Sequence, residues 1–192
     1  MNDYPKYEKY KSILSSRLTD KRYKHSLAVA VEAQRLANLY GADEEKAYLC
    51  GLLHDITKNS SREEHLNIFS NFDIMLNDIE IRSEKLWHAI SGAAYVKNVL
   101  KIADDEIFDA IRYHTTAKPS ISLLSKILYL ADFTSQDRNY PDVDVMRNLV
   151  NKSLDAAYKY ALSYTVKEII EKGAAVHIDT IQAYNEVVLK GN

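Results

Sequence analysis

Apolar residues recur at intervals of three and four along almost the whole chain, which is the spacing of amphipathic helices. Only 5 glycines and 3 prolines interrupt this pattern, too few for a sheet that needs many tight turns. The pattern therefore predicts an all-α fold, and we expect a single compact helical domain over residues 1–192. The predicted helices are Tyr4–Arg17, Asp20–Tyr40, one after Asp43, Ser61–Phe69, Glu84–Leu100, Asp105–His114, Ser120–Phe133, Val143–Lys172 and one capped by Asp179.

Local signals set several of these boundaries. Gly41 suits a left-handed C-cap, and Asp43 can cap the next helix, which carries the apolar stretch AYLCGLLHD and should lie at the centre of the fold. Ser61 followed by Glu64 is typical of a capping box. The stretch NFDIMLNDIE that follows this short helix is interpreted as a loop or short helical turns.

Charge and cysteine content narrow the class of partner. The formal net charge is −2 and no long Lys/Arg block occurs, which disfavours binding to duplex nucleic acid or an anionic membrane and leaves small anionic ligands. Cys50 is the single cysteine, and the N-terminus lacks the apolar run of a signal peptide. No apolar run approaches the ~18 residues needed to span a bilayer. We therefore expect a soluble, cytoplasmic protein.

Three polar residues lie on helix faces that should be buried. His25, His114 and Asp132 are each in phase with the aliphatic residues of their own helix. One such histidine alone is more often a satisfied core residue than a ligand. A carboxylate on an apolar stripe, however, needs a cation or a metal as its partner, because an unpaired buried charge costs several kcal/mol. Asp132 therefore indicates a site.

The strongest local signal is the pair His54 and Asp55 at the end of the most apolar helix. Adjacent side chains on a helix diverge by about 100°, so this pair suits a position between two ions with the carboxylate bridging them. His88 follows on the next long helix, where Gly92 would let a neighbouring helix or a ligand come close. Lys58, one turn beyond His54, can meet a phosphate oxygen. Together these residues predict a metal site.

The chain resembles the HD-domain phosphohydrolases, whose ligands run in the order His, His-Asp, two further His and a late Asp. Within them it is most similar to the bacterial symmetrical diadenosine tetraphosphate hydrolases (bis(5'-nucleosyl)-tetraphosphatases), through RYKHSLAVA, GLLHDITK, LWHAISGA, AIRYHTT, SLLSKILYLADFT and VHIDT. The similarity covers nearly the whole chain. It departs at Ala117, where that subfamily usually has glycine, and at Ile178, where it usually has proline. The predicted metal ligands are His25, His54, Asp55, His88, His114 and Asp132.

The resemblance implies a dinuclear centre that hydrolyses diadenosine tetraphosphate to two ADP. One ion would be held by His25, His54, Asp55 and Asp132, and the other by Asp55, His88 and His114. Iron is the expected metal, with manganese or zinc as alternatives, because every ligand is nitrogen or oxygen. The ions would lower the pKa of a bridging water and neutralise phosphate charge.

Two residues are predicted to be catalytic, namely Asp55 as the bridge and Lys58. Lys58 and Arg138 are assigned to the polyphosphate, Arg138 because a loop leaving a metal-bearing helix must pass the entrance of the site. Arg22 lies one turn before His25 and can reach phosphate, although a solvated surface arginine is an equal interpretation.

Other candidates for substrate contacts lie outside the ligand pattern. Thr115 and Thr116 either donate hydrogen bonds to phosphate or turn the chain after a helix. The resemblance alone makes the segment from Gly173 to His177 a nucleoside contact. His65 follows two glutamates and is expected to be solvated. The 14 tyrosines are expected to be mostly core and boundary residues, and none is assigned to a base.

Two other functions are compatible with the sequence. One is an HD phosphohydrolase that acts on nucleoside monophosphates or cyclic nucleotides. The other is a non-catalytic HD module that senses a nucleotide or a protein, which the complete set of ligands disfavours. The expected partner is a dinucleoside polyphosphate or other nucleotide, with no duplex nucleic acid and no membrane, and a homodimer is expected by resemblance alone.

Overall fold

The computed structural model describes residues 5–190 as a bundle of helices with no strand in that range. Short 3-10 helices at Pro5–Tyr7 and Glu84–Leu86 precede α1 and α6. The predicted all-α fold is confirmed. The helices are α1 (Glu8–Arg17), α2 (Asp20–Tyr40), α3 (Glu44–Leu53), α4 (Arg62–Asn71), α5 (Asp78–Arg82), α6 (Trp87–Asn98), α7 (Asp105–Tyr113), α8 (Leu123–Thr134), α9 (Val143–Val150), α10 (Leu154–Glu171) and α11 (Ile178–Lys190).

The observed helix boundaries agree with the predicted ones where the capping residue can be recognised from the sequence around it. Gly41 ends α2 with φ +69°, the left-handed conformation that glycine adopts without strain. The side chain of Asp43 caps α3 by accepting from the N–H groups of Glu45 and Lys46. Ser61 caps α4, but the Glu64 carboxylate pairs with Arg17, so this cap departs from the predicted capping box.

Three other boundary predictions are wrong. The long helix expected over residues 143–172 is two helices, because the chain turns at residues 151–153 and the Ser153 side chain caps α10. Asp179 lies inside the first turn of α11, and its N–H donates to His177 Nδ1, so His177 is the cap. The helix expected from Ser120 begins at Leu123. Tyr4, the expected start of the first helix, lies outside the described residues.

α3 lies at the centre of the bundle, where α1, α2, α7 and α8 pack around it. Its approach to α2 is very close at Gly51, where an added Cβ would lie 2.6 Å from the Cα of Ala30. Gly92, which the sequence singled out for a close approach, has more room, with the Thr57 hydroxyl at 3.3 Å from a built Cβ. Of the glycines in the described part of the chain, Gly51 therefore has the closest neighbours, where α3 meets the helix that carries His25.

A single cluster of buried side chains extends from Tyr7, ahead of α1, to Ala183 on α11. A smaller cluster of Phe69, Trp87 and Ile90 lies between α4 and α6. That the chain forms one domain stays a prediction, and this continuous core is consistent with it. Among the described residues, no helix has both the length and the apolar character needed to cross a bilayer.

Candidate metal centre

The six predicted ligands come together from five separate segments of the chain. They lie on α2, at the end of α3 and the turn after it, on α6, just after α7 and near the end of α8. Their ligand atoms form three overlapping groups, and the atoms within each group lie within 4.8 Å of one another. The groups are His25, His54 and Asp55; His54, His114 and Asp132; and Asp55, His88 and His114.

One half of the centre is formed by Asp55, His88 and His114. His88 Nε2 lies 3.2 Å from Asp55 Oδ1 and 3.2 Å from His114 Nε2, while His114 Nε2 lies 3.7 Å from Asp55 Oδ1. Nitrogen and oxygen ligands about 2.1 Å from one ion are separated by roughly 3 Å when they are neighbours around it. The spacing of these three atoms is close to the one that a single ion requires.

The other half is formed by His25, His54, Asp55 and Asp132. Asp132 Oδ1 lies 2.9 Å from His25 Nε2 and 3.9 Å from His54 Nε2. His54 Nε2 is 3.6 Å from Asp55 Oδ2, whereas Oδ1 of the same carboxylate faces the first half. The two oxygens of Asp55 therefore point towards different halves of the centre, as the bridging position predicted for this residue requires.

Two atoms at the centre are buried without a hydrogen bond, namely His54 Nε2 and Asp55 Oδ1. His54 is fully buried, and Asp55 is 2 % exposed. A buried lone pair left without a partner costs about 1–3 kcal/mol, and more when the group is charged. Lone pairs that converge in this way are the arrangement a cation satisfies, so the residues fit a divalent metal.

Backbone carbonyls fix the orientation of two of the imidazoles. His54 Nδ1 donates to the carbonyl of Gly51 at 2.7 Å, and His114 Nδ1 donates to the carbonyl of Ile111 at 2.7 Å. A carbonyl can only accept, so the proton of each neutral ring is on Nδ1 and the lone pair is on Nε2, which faces the centre. Such contacts outside the ligand set hold metal-binding histidines in position.

His25 is oriented by Asp137, a residue that the sequence analysis missed. His25 Nδ1 lies 2.8 Å from Asp137 Oδ2, and the hydroxyl of Ser135 donates to Asp137 Oδ1 at 2.8 Å. A carboxylate on the far nitrogen of a histidine raises the basicity of the nitrogen that faces a metal. Asp137 is therefore a positioning residue for the centre.

The electrostatics of the centre keep its ligands in the forms that bind metals. Burial lowers the pKa of His54 and that of His88 to about 4, so both rings are neutral at pH 7. Burial alone would raise the pKa of Asp55, but the neighbouring histidines and Lys58 lower it well below its usual range. Two neutral imidazoles and an ionised carboxylate are ready to coordinate at neutral pH.

His25 and Asp132 form a hydrogen-bonded pair, with His25 Nε2 2.9 Å from Asp132 Oδ1. Burial opposes ionisation of Asp132, but the charge of Arg138 and the hydrogen bond from His25 lower its pKa well below its usual range. Burial alone would lower the pKa of His25, but the hydrogen bond and charge of Asp132 outweigh it and the pKa is raised. An ion that binds His25 Nε2 must therefore replace the hydrogen bond that this atom makes with Asp132.

Three basic side chains surround the centre. Arg22 donates to Asp55 Oδ2 at 3.3 Å, Lys58 Nζ lies 2.9 Å from His88 Nε2, and Arg138 pairs with Asp132. Burial lowers the pKa of Lys58, and the charge of Asp55 opposes this shift. The Arg22 side chain is 36 % exposed and that of Arg138 is 34 % exposed. Each of these cations contacts the centre and is also partly open to solvent.

The two threonines after α7 differ in their surroundings. The Thr116 hydroxyl donates to the carbonyl of Ala117 at 2.9 Å, and its own carbonyl accepts from Thr180, which matches the interpretation that it turns the chain. The Thr115 hydroxyl is buried without a partner, which suits a donor to a ligand. Ala117 has φ +57°, a conformation in which glycine is unstrained, so the departure noted in the sequence falls at a backbone position that favours glycine.

The segment from Gly173 to His177 has other contacts in this structure. Gly173 is exposed, with φ +63°, just after α10. His177 is buried, and its Nε2 lies 3.2 Å from Asn77 Nδ2 and 3.4 Å from Glu80 Oε1. Glu80 also pairs with Arg112, so His177 belongs to a buried polar cluster that ties α11 to α5 and α7. Its contact with a nucleoside stays a prediction.

His65, expected to be solvated, is only 7 % exposed, and that prediction is wrong. Its Nδ1 lies 2.8 Å from the Ser91 hydroxyl, which lies 2.9 Å from the hydroxyl of Thr57. Thr57 donates to the carbonyl of His88 at 2.8 Å. This buried chain of hydrogen bonds joins the turn that follows Asp55 to the helix that carries His88.

Comparison with known proteins identifies the family. The family model of the HD domain matches residues 22–137, a range that contains all six side chains of the centre. This chain belongs to the HD domain family. The match confirms the family predicted from the sequence. Together with the short distances between the ligand atoms, it indicates that the cluster of four histidines and two aspartates binds divalent metal.

Relatives of this HD protein align along most of their length. A protein of Halalkalibacterium halodurans named bis(5'-nucleosyl)-tetraphosphatase, symmetrical, is 34% identical over 93% of this chain and 95% of its own. A Bacillus subtilis protein of the same name is 34% identical over 91% and 94%. A crystal structure of a predicted HD superfamily hydrolase involved in NAD metabolism, from Clostridium acetobutylicum, is 38% identical and superposes with a TM-score of 0.92 over 96% of this chain and 97% of that chain.

Proposed function

We propose that this HD protein is a metal-dependent hydrolase that cleaves diadenosine tetraphosphate symmetrically into two molecules of ADP. The observation that carries the proposal is the buried convergence of His54 Nε2 and Asp55 Oδ1, which lack hydrogen-bond partners, within a cluster of four histidines and two aspartates. The names of the two relatives that align over more than nine-tenths of their length support the choice of substrate.

We further propose that the cluster holds two ions. His25, His54, Asp55 and Asp132 would hold one, and Asp55, His88 and His114 the other, with iron preferred and manganese or zinc as alternatives. When bound, such ions supply a water of lowered pKa and neutralise phosphate charge. Ionised Asp55 and neutral His54 and His88 support this assignment, because coordination requires those protonation states.

The basic residues at the rim would bind the tetraphosphate. Lys58, Arg22 and Arg138 each contact a residue of the metal cluster, and each would exchange part of that contact for a phosphate oxygen. Arg138 suits this role because its planar guanidinium can grip phosphate at two points. The leaving ADP is a weak base, so the reaction needs no strong general acid from the protein.

The reaction products test this proposal. Protein loaded with iron or manganese is incubated with diadenosine tetraphosphate, and the nucleotides are separated by anion-exchange chromatography. We expect ADP as sole product. AMP together with ATP would exclude symmetrical cleavage. Absence of turnover beside rapid cleavage of nucleoside monophosphates or cyclic nucleotides would favour the other HD phosphohydrolases, and binding of nucleotides without any cleavage would favour a sensing module.

A matched pair of lysine variants tests whether a basic residue beside the metal cluster binds the tetraphosphate. Lys58→Met keeps the length of the side chain and removes its charge, and we expect a large loss of activity. Lys152→Met makes the same change at an exposed position and should leave activity unchanged. Equal activities would contradict the role given to Lys58. The homodimer, the cytoplasmic location and the absence of duplex nucleic acid or membrane partners stay predictions.

A further inference from the structure

A cavity of about 240 Å³ opens beside the metal cluster, and neither metal binding nor phosphate binding explains its aromatic residues. Two of its five lining residues, Asp132 and Arg138, belong to the centre or its rim. The other three are aromatic, namely Phe133 at the end of α8, Tyr140 in the loop after it and Tyr164 on α10. The cavity therefore joins an aromatic wall to the charged centre.

The three aromatic rings are arranged around the cavity at steep angles to one another. Phe133 and Tyr140 have ring centroids 6.3 Å apart at 80°, and Phe133 and Tyr164 have centroids 6.3 Å apart at 87°. Tyr140 and Tyr164 are 5.5 Å apart at 49°. None of the three rings is fully buried. Partly exposed aromatic faces around a hollow are the surface on which a flat, uncharged ring stacks.

The wall of the cavity is held in place by hydrogen bonds before any ligand arrives. The Tyr140 hydroxyl donates to the carbonyl of Phe133 at 3.1 Å. Arg147 on α9 donates to the carbonyls of Ser135 at 2.9 Å and Arg138 at 3.0 Å. These bonds fix the loop that carries Tyr140 and Arg138, so a ligand would bind with little loss of loop freedom.

The volume of the cavity and the charge of its wall limit the kind of ligand that it can bind. At about 240 Å³ it is smaller than pockets that hold whole drug-sized ligands, and it suits a fragment such as one planar ring system. The guanidinium of Arg138 in its wall disfavours the cationic ligands that other aromatic cages bind. The same guanidinium favours a ligand whose flat ring is joined to a phosphate chain.

We propose that this aromatic pocket, formed by Phe133, Tyr140 and Tyr164, binds one nucleobase of the substrate while Arg138 contacts the adjoining phosphates. This proposal rests on the proposed function, because it assumes that the cluster beside the pocket acts on a nucleotide. Tyr164 would be the stacking residue most open to testing, because it lies on α10 and not on the metal-bearing helix α8 itself.

The affinities of two probes, ADP and inorganic pyrophosphate, test the pocket, and both are measured by titration calorimetry on metal-loaded protein. Pyrophosphate has the charge of the nucleotide chain but no base. For Tyr164→Ala we expect ADP to bind about 5- to 150-fold more weakly, the range for loss of a base stack on an aromatic ring, and pyrophosphate to bind as in the wild type. Tyr164→Phe, which keeps the ring, should retain the wild-type affinity for ADP.

Tyr160→Ala is the matched control, because Tyr160 lies one turn earlier on α10 and does not line the pocket. It should leave both affinities unchanged. Unchanged ADP binding in Tyr164→Ala, or an equal weakening of ADP and pyrophosphate, would overturn the base pocket even if the wild type cleaves diadenosine tetraphosphate. Failure of the wild type to cleave that substrate would instead count against the proposed function, so the two failures are distinguishable.

Discussion

Replacement of Gly51 by alanine should separate the two helices that carry His25 and His54. A Cβ at Gly51 would lie 2.6 Å from the Cα of Ala30 and 2.8 Å from both the N of Ala30 and the carbonyl oxygen of Val29. These are backbone atoms, which cannot move away as a side chain does. Carbon atoms in ordinary contact are at least about 3.5 Å apart, so α2 and α3 must separate by roughly 0.9 Å.

The expected loss of stability follows from two opposing effects. Overpacking of this kind costs about 1–3 kcal/mol, and contact with rigid backbone places Gly51→Ala at the upper end. Replacing glycine by alanine inside a helix raises the free energy of unfolding by about 1 kcal/mol, because alanine has the higher helix propensity. The net loss should be about 2 kcal/mol, or a fall of roughly 4–8 °C in Tm for a chain of this length. Metal affinity should also fall, because His25 moves away from His54.

Urea denaturation and a chelator competition assay measure these two effects. Gly92→Ala is the matched control, because the nearest atom to its Cβ would be the Thr57 hydroxyl at 3.3 Å, a side-chain atom at a longer distance than the backbone atoms around Gly51. We expect this control to stay within about 1 kcal/mol of the wild type. A Gly51→Ala protein as stable as the control, with unchanged metal affinity, would refute the argument that this contact sets the spacing of the centre.

Three further predictions test the surroundings of the centre. Thr57→Val should lower stability by about 1–3 kcal/mol in urea denaturation, because the carbonyl of His88 loses its donor, while Thr57→Ser keeps the donor and should lose only the roughly 0.8 kcal/mol of one buried methyl group; equal losses would contradict this. Asp137→Asn should weaken metal binding about 10- to 100-fold in a chelator competition, and unchanged affinity would refute its positioning role. Metal-free protein should lose stability as pH falls from about 6.5 to about 4, because the pKa values of His54 and His88 are lowered to about 4 and the unfolded chain takes up protons first. The raised pKa of His25 has the opposite effect on stability, but it concerns one histidine against two. A free energy of unfolding that stays constant from about pH 6.5 to about pH 4 in urea denaturation would contradict the predicted loss.

The sequence predicted helices well where boundary signals are local. Gly41 and Asp43 act through the residues next to them, so their roles can be inferred without the fold. The break at residues 151–153 contains neither glycine nor proline, and apolar spacing continues across it. The cap at Ser153 is a local signal that was overlooked, and the packing of both α9 and α10 on α8 is what requires the chain to turn there.

The residues of the candidate site were predictable where a polar side chain lies on an apolar helix face, because such a side chain needs a partner such as a metal ion. This signal, with the family resemblance, singled out the six residues that the structure brings together. Asp137 gave no such signal, because it lies in a polar loop and contacts His25 across 112 positions of sequence. The burial of His65 was not predictable in this way, because its two glutamate neighbours indicate exposure while its ring packs against Trp87.

Metal content measured by mass spectrometry tests the central claim most directly. Wild-type protein and Asp55→Asn are loaded with iron or manganese and freed of excess metal by gel filtration. Asp73→Asn serves as control, because Asp73 is exposed and its φ of +51° is one that asparagine tolerates. We predict two ions per chain in the wild type and the control, and well below one in Asp55→Asn. Two ions retained in Asp55→Asn, or none in the wild type, would contradict a dinuclear centre bridged by Asp55.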